Sequence, residues 1–232
     1  MRQNNFKKRL QIGYIPLVMI LTLGFSACAT TEQTRSAKPS GFLKDYSQLK
    51  KGEGEQAQLF YINRNINFAA YDKVMIESVT IWHGEGSDLS KVPREELQRL
   101  ADYLYSATRK ELESVYTIVD RPGPGVMKMR MAITEAKGSK VAGDIMTNVL
   151  PPAIVIDWGK KLATGTHSFV GKAAIEVEIV DSLSYVRLAA AVDERAGGKT
   201  FEGKTSKWDD IQKSFDVWAN RLKTRLVELR SR

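Results

Sequence analysis

Residues 173–193, AAIEVEIVDSLSYVRLAAAVD, carry the clearest structural pattern in the sequence. Two runs of alternating apolar side chains flank the turn DSLS, a pattern typical of a β-hairpin. One register pairs Val177 with Leu188 and Glu178 with Arg187. It places the apolar side chains on one face and predicts a structural ion pair between Glu178 and Arg187 on the other. A slip of one residue would disrupt both faces.

Two amphipathic helices lie before and after this hairpin in the sequence. Pro93 opens the first helix, and two glutamates follow in its first turn, where the helix dipole favours them. The second helix is predicted over 207–229, directly after Ser206, and Ser206 and Asp209 are spaced like a capping box. Further strands are predicted at 73–82, 116–119 and 126–135. The order β-α-β-β…β-β-α predicts an α+β fold, a mostly antiparallel sheet with the two helices packed on one face.

The first 27 residues have the composition of an export signal. Four basic residues and no acidic residue precede Cys28, and an apolar run extends from Ile15 to Phe25. This organisation is typical of a secretory signal peptide, and the run is short for a bilayer span of about 20 residues. We therefore expect cleavage between Ala27 and Cys28. The alternative is an uncleaved N-terminal anchor helix.

Cys28 is the only cysteine among 232 residues, so an internal disulfide is excluded. The preceding residues Phe25, Ser26 and Ala27 resemble, together with Cys28, the lipobox of bacterial lipoproteins, although Leu, Val or Ile is usual at the first position. The resemblance implies lipid attachment to Cys28 through several acyl chains of the palmitate type, which anchor a protein stably. Ala29, rather than Asp, follows, which implies the outer membrane, with the protein facing the periplasm.

The remaining chain divides into a polar segment and one domain. Removing residues 1–27 would leave 31 basic and 27 acidic residues, a formal net charge of +4 rather than +8. So small a charge argues against a nucleic-acid partner. Residues 28–57 are expected to form a lipidated tether, flexible over 29–40, and an extended arm. Residues 58–232 suit a single periplasmic α+β domain with its own core.

The sequence predicts no metal site and no cofactor. His83 lies near Glu85 and Asp88 in a Gly-rich loop, and His167 has no local partner. Neither histidine has the spacing of metal ligands. The methionines at 127, 129 and 131 share one strand face and are expected to be core residues.

No catalytic residue is predicted either. Glu176 and Glu178 share a strand face, as paired catalytic carboxylates can. The hairpin register, however, assigns Glu178 to Arg187, which favours structural ion pairing. The apolar segment 145–163, IMTNVLPPAIVIDWGKKLA, leaves three interpretations open: a buried helix, an oligomer interface or a membrane-contacting edge.

From about Ser40 onward the sequence resembles a bacterial lipoprotein family, domain of unknown function 3313. The matching stretches are SGFLKDYSQL (40–49), YDKVMIESVTIW (71–82), LATGTHSFVGKAAIEVEIVDS (162–182) and AAAVDERAG (189–197). The hairpin turn DSLS departs from the Thr-Gly type that is more frequent there. Because the family has no assigned activity, the resemblance implies class and location and no catalytic residues.

Three functional hypotheses follow from the sequence. The first is a non-enzymatic envelope protein, held to the membrane by its lipid, whose domain binds a periplasmic protein partner. The second is a hydrolase of envelope polymers that uses carboxylates near Glu85, Asp88 or Glu176. The third is an oligomeric, secretion-type lipoprotein that inserts part of 145–163 into the membrane.

Overall fold

The computed structural model describes residues 31–139, 171–197 and 206–232. The export signal 1–27, Cys28, His167 and the segment 145–163 lie outside these described residues. The inferences drawn for them from the sequence therefore stay predictions.

The described residues form nine strands and two helices, with single 3-10 turns at Phe68–Ala70 and Asp88–Lys91. The α+β fold class is thereby confirmed. The elements are β1 (Thr31–Gln33), β2 (Lys50–Lys51), β3 (Leu59–Ile62), β4 (Lys73–Ile76), β5 (Thr80–Ile81), α1 (Arg94–Leu112), β6 (Thr117–Ile118), β7 (Val126–Lys137), β8 (Lys172–Asp181), β9 (Arg187–Gly197) and α2 (Asp209–Arg230).

All strands belong to one open, mixed sheet in the order β2-β3-β9-β8-β7-β4-β6. Strand β1 pairs with β9, as β3 does, and β5 pairs with β7, as β4 does. The hairpin strands and the strands on the β3 side are antiparallel. Strand β4 is parallel to β6 and β7 because the crossover through α1 returns the chain in the same direction.

The hairpin exists, but the register predicted for it is wrong. Val177 pairs with Ala191 and Glu178 with Ala190, not with Leu188 and Arg187. The register shifts next to Ile179, so that Leu188 is the extra residue of a β-bulge. Apolar alternation fails as a guide here because both faces of the hairpin are buried, one under the helices and one under the N-terminal arm.

The predicted strand 73–82 is interrupted near 77–78, where its apolar pattern changes parity. Strands β4 and β5 both run along β7, and the interval from Ile76 to Thr80 matches the shorter interval from Met129 to Ala132. One residue is therefore in excess on the β4–β5 side, as at a bulge. The change of parity in the apolar pattern thus coincides with an irregularity of the strand.

Both helices pack on the same face of the sheet and enclose the main core. The methionine stripe lies there: Met127, Met129 and Met131 are at most 1% exposed, which confirms the core prediction. Other fully buried side chains of this core are Leu100, Leu104, Leu112, Ile133, Ile179, Leu188 and Phe215. This face is therefore a continuous apolar layer that fixes how the helices lie on the sheet.

The N-terminal segment corrects a further prediction. Residues 31–40 were expected to belong to a flexible tether, yet Thr31–Gln33 form β1 and Thr31 is 2% exposed. Arg195 donates to the side chain and the carbonyl of Thr31, and Ala37 is buried. A polar sequence is ordered here because its backbone completes the edge of β9. Segments of the chain between residues 31 and 57 thus belong to the folded domain, which was predicted to start at residue 58.

Candidate functional site

The sheet face opposite the helices is covered by residues 40–49, which we call the arm. Glu176 lies beneath it and is fully buried. Its carboxylate accepts hydrogen bonds from the backbone N–H of Ser40 at 2.7 Å and of Leu43 at 3.3 Å, and from the hydroxyl of Tyr46 at 2.7 Å. Burial and then the bond to Glu176 raise the pKa of Tyr46. Glu176 therefore serves as a fixed acceptor for the arm.

Glu178, the next carboxylate on this face, is held between two arginines. Arg130 Nε donates to its Oε2 at 2.6 Å, and Arg187 Nε donates to its Oε1 at 2.7 Å. The same guanidinium of Arg187 also donates to the carbonyl of Leu43 at 3.1 Å. These contacts join the three strands β7, β8 and β9 and the arm into one charge-assisted network.

The bulge at Leu188 explains how Arg187 reaches this face. Side chains alternate along a strand, so without the extra residue Arg187 would point towards the helices with Ala189. With it, Arg187 faces Val180 in the register and reaches Glu178 diagonally. The ion pair predicted from the sequence is thus present in the structure, but in a different register.

Aromatic contacts complete the cover. The Arg130 guanidinium lies 4.6 Å from the ring centroid of Phe42, and the rings of Phe42 and Trp82 meet edge to face at 5.7 Å. Trp82 Nε1 donates to the carbonyl of Ser40 at 3.0 Å. Glu176 and Glu178 are consequently enclosed, hydrogen-bonded and not open to a substrate.

The opposite face holds an open cleft of about 290 Å³ between the helices and strands β3, β8 and β9. Strand β9 contributes three alanines to this space, Ala189, Ala190 and Ala191, and Asp193 at its inner end. Small side chains beneath a helix leave a gap that larger ones would fill. The other apolar lining includes Leu104, Met131, Ile175, Val177, Ile179, Trp218, Leu222 and Leu226.

Four arginines line the mouth of this cleft: Arg64, Arg221, Arg225 and Arg232. Arg221 pairs with Glu55, and Arg225 pairs with Glu228 at 2.8 Å. Burial, and then the charge of Arg225, lower the pKa of Arg221. Since the lining includes two glutamates against four arginines at the mouth, the entrance carries an excess of positive charge.

The inner end of the cleft is closed by Asp193, which is 3% exposed. Its carboxylate accepts from Trp218 Nε1 at 2.7 Å and from the backbone N–H of Gln58 at 3.0 Å, and also from the side chain of Gln33. Three donors occupy its lone pairs. Asp193 therefore anchors α2, β3 and β1 to one another.

Sequence reasoning did not identify this cleft or its arginines. The available signals were the alanine triplet at 189–191 and the spacing of Arg221 and Arg225, four residues apart on the predicted helix. Neither shows by itself that the two features face one another. Arg130 was missed as well, although it alternates with the core methionines on its strand.

The histidine loop brings no metal ligands together. His83 and Glu85 are exposed, and Asp88 pairs with Lys91 at 2.5 Å. Within the described ranges no group of three or more His, Cys, Asp or Glu side chains could hold a metal ion. Among the same residues, no helix is both long enough and apolar enough to pass through a membrane.

Comparison with protein families gives one match. The family described as "Protein of unknown function (DUF3313)" matches residues 38–222, which is well over half of the chain. The chain belongs to this family. The resemblance seen in the sequence is thereby confirmed, and DUF3313 supplies no activity. No curated protein matches the chain significantly.

Solved structures similar to this DUF3313 chain are distant. The PelC dodecamer from Paraburkholderia phytofirmans has 10% identity and a TM-score of 0.38, covering 74% of this chain and 94% of that one. A DUF4136 family protein from Bacteroides thetaiotaomicron VPI-5482 has 9% identity and a TM-score of 0.35, with coverages of 72% and 95%. Similarity this low transfers no function.

Proposed function

We propose that this DUF3313 protein is a lipid-anchored protein of the bacterial cell envelope. Residues 1–27 direct export, Cys28 receives the lipid, and the domain faces the periplasm from the outer membrane. The basic start, the apolar run and the small residues before a lone cysteine support this assignment. Ala29 supports the outer rather than the inner membrane.

We further propose that the domain is not an enzyme and that it binds a periplasmic protein partner in the cleft. The observation that carries this proposal is the open apolar space of about 290 Å³ whose mouth is lined by four arginines. Two of the three carboxylates that suggested a hydrolase are already engaged with other groups of the protein. The carboxylate of Glu176 accepts hydrogen bonds from the arm, and Asp88 is paired with Lys91.

The cleft also indicates the chemistry of the partner. Ligand pockets typically measure about 300–1,000 Å³, so this cleft lies at the small end of that range. It has room for a few apolar side chains of a partner, which would bury their surface against Ala189, Ala191 and Leu222. The arginines favour a partner whose apolar segment is flanked by acidic residues, because opposite charges steer and orient the contact.

The cleft can be tested by filling it. Ala191→Phe places a ring where the partner's side chains would lie, and Ala69→Phe adds the same ring at an exposed position outside the cleft. A photo-crosslinking residue at Arg225 should capture one protein in cells. We expect Ala191→Phe to abolish that crosslink and Ala69→Phe to preserve it. A crosslink that survives in a folded Ala191→Phe protein would reject the cleft as the binding site.

The lipid anchor has its own test. Cys28→Ser removes the sulfur that accepts the lipid and should leave an unprocessed precursor without fatty acid. Metabolic labelling with a fatty-acid probe measures this directly, and the unaltered protein is the reference. Labelling of the Cys28→Ser protein at the normal level would contradict the assignment.

A further inference from the structure

The start of the folded domain lies very close to the predicted anchor. Strand β1 begins at Thr31, which pairs with Gly197 and is buried beside Arg195. Three residue steps separate Thr31 from Cys28. An extended chain covers at most about 3.6 Å per residue, so the two Cα atoms lie within roughly 11 Å of each other.

Several elements share this end of the sheet, which we call the anchor end. Strand β7 ends at Lys137, whose partner Lys172 begins β8, and Gly197 ends β9. The backbone N–H of Gly197 donates to the carbonyl of Gly171 at 2.7 Å, which ties two of these strands together. The described residues of the anchor end are therefore joined by backbone hydrogen bonds.

The opposite end of the sheet is the hairpin tip, residues 181–186. The ten residues of β8 separate the two ends. At about 3.3 Å per residue, that distance is roughly 30 Å. Leu183 and Tyr185 at the tip are 57% and 66% exposed. When the sheet stands upright on its anchor, the three residue steps from Cys28 to Thr31 are too short for the tip to reach the bilayer.

Among the described residues of the anchor end, most of the charge is paired. Ion pairs join Lys172 to Glu194 at 2.8 Å and Lys207 to Glu96 at 2.8 Å. Lys137 is exposed, and the Lys207 ammonium lies 5.1 Å from the ring centroid of Trp208. Lysine and tryptophan suit the boundary between head groups and water. Such a surface can rest on phospholipid without requiring anionic lipid, because the acyl chains supply the affinity.

We propose that the anchor end lies against phospholipid head groups and that the hairpin tip points away from the membrane. This orientation rests on the lipid at Cys28, which belongs to the proposed function. The short link supports it by holding the anchor end near the bilayer, since residues 31–33 are fixed in the sheet and only residues 29 and 30 separate them from the lipidated residue. The arm and the cleft then lie along the sides of an upright domain.

The single cysteine makes the orientation measurable. Acylation consumes Cys28, so a cysteine introduced elsewhere is the only free thiol of the exported, full-length protein. Lys137→Cys marks the anchor end and Leu183→Cys marks the tip, both at exposed positions. Each lipidated protein is labelled with a fluorophore and reconstituted into phosphatidylcholine vesicles that contain a head-group nitroxide lipid. We expect severalfold stronger quenching at Lys137→Cys than at Leu183→Cys.

A longer link between Cys28 and Thr31 supplies the control. Insertion of about twenty Gly and Ser residues between Thr30 and Thr31 lets a flexible chain extend well beyond its present reach. Quenching at Lys137→Cys should then fall towards that at Leu183→Cys. Equal quenching of the two labels without the insertion, or quenching unchanged by the insertion, overturns the proposal. Fatty-acid labelling of the same samples tests the lipid separately: unlabelled protein overturns the proposed anchor as well.

Discussion

Arg187 Nη2 lies 2.6 Å from Glu178 Oε1, although the two residues do not face each other in the sheet. The bulge at Leu188 turns Arg187 onto the face of Glu178, where the same guanidinium also bonds the arm. The bulge at Leu188 therefore contributes to how the arm is held over this face of the sheet. Glu178 is also the carboxylate partner that Arg130 and Arg187 share.

Replacing Glu178 with Gln should destabilise the protein and release the arm. Arg130 and Arg187 would then lie near each other without their shared carboxylate, and removing one partner of a largely buried pair costs about 3 kcal/mol or more. Urea unfolding measures the loss, and trypsin cleavage after the exposed Lys44 reports on the arm. Glu77→Gln, which breaks the more exposed pair with Lys128, should cost about 1 kcal/mol or less. Equal losses in the two variants would contradict the network.

Tyr46→Phe should loosen the arm more selectively. The hydroxyl of Tyr46 donates to Glu176 and accepts from the backbone N–H of Gly41 at 2.7 Å. Loss of a bond to a buried carboxylate costs about 1–3 kcal/mol. We expect a lower urea midpoint and faster amide exchange at Gly41. Tyr103→Phe, whose hydroxyl bonds Asp216 at an exposed site, should change stability much less; similar effects of both variants would argue against a clamp.

Stability should fall at alkaline pH through Tyr71. Its hydroxyl donates to Asp181 at 3.1 Å, and burial, followed by that bond, raises its pKa from 10.0 to about 12. The neutral form is therefore favoured in the folded protein, and its stabilisation is complete below pH 10 and lost as the pH rises to about 12. Two pKa units correspond to roughly 2–3 kcal/mol.

Comparing Tyr71→Phe with the unaltered protein isolates this contribution from other groups that titrate in the same range. Urea unfolding is measured at about pH 9 and again at about pH 11.5. The unaltered protein should lose more stability between the two than the Tyr71→Phe protein. Parallel losses in both proteins would show that Tyr71 is not the group responsible.

Gly197→Ala should disturb the contact between β9 and the first turn of α2. A Cβ atom at Gly197 would overlap the carboxylate of Asp210, which also accepts from the backbone N–H of Gly171 at 3.0 Å. Overpacking of this kind costs about 1–3 kcal/mol. At Gly123 an added Cβ would make an ordinary contact with Val126 at 3.9 Å, so Gly123→Ala serves as the matched control. Thermal unfolding should separate the two variants, and equal midpoints would exclude the steric explanation.

The local elements and the main core could be predicted from the sequence. Helical spacing after Pro93 and over 207–229, the hairpin around 181–186 and the methionine stripe all follow from patterns within one segment. Such patterns report which side of an element avoids water, and they need no knowledge of its neighbours.

The hairpin register, the role of the N-terminal segment and the cleft depend on contacts between distant segments and could not be predicted in this way. Alternating apolar side chains specify a register when one face of the sheet is buried and the other is exposed to solvent. Here the arm covers the second face, so the alternation around Glu178 could not select the register. Residues 31–33 read as a tether because their composition is polar, whereas β9 offers them an unpaired edge. The cleft arises because Ala189 and Ala191 come to lie beneath α2, which is a property of two segments brought together by folding.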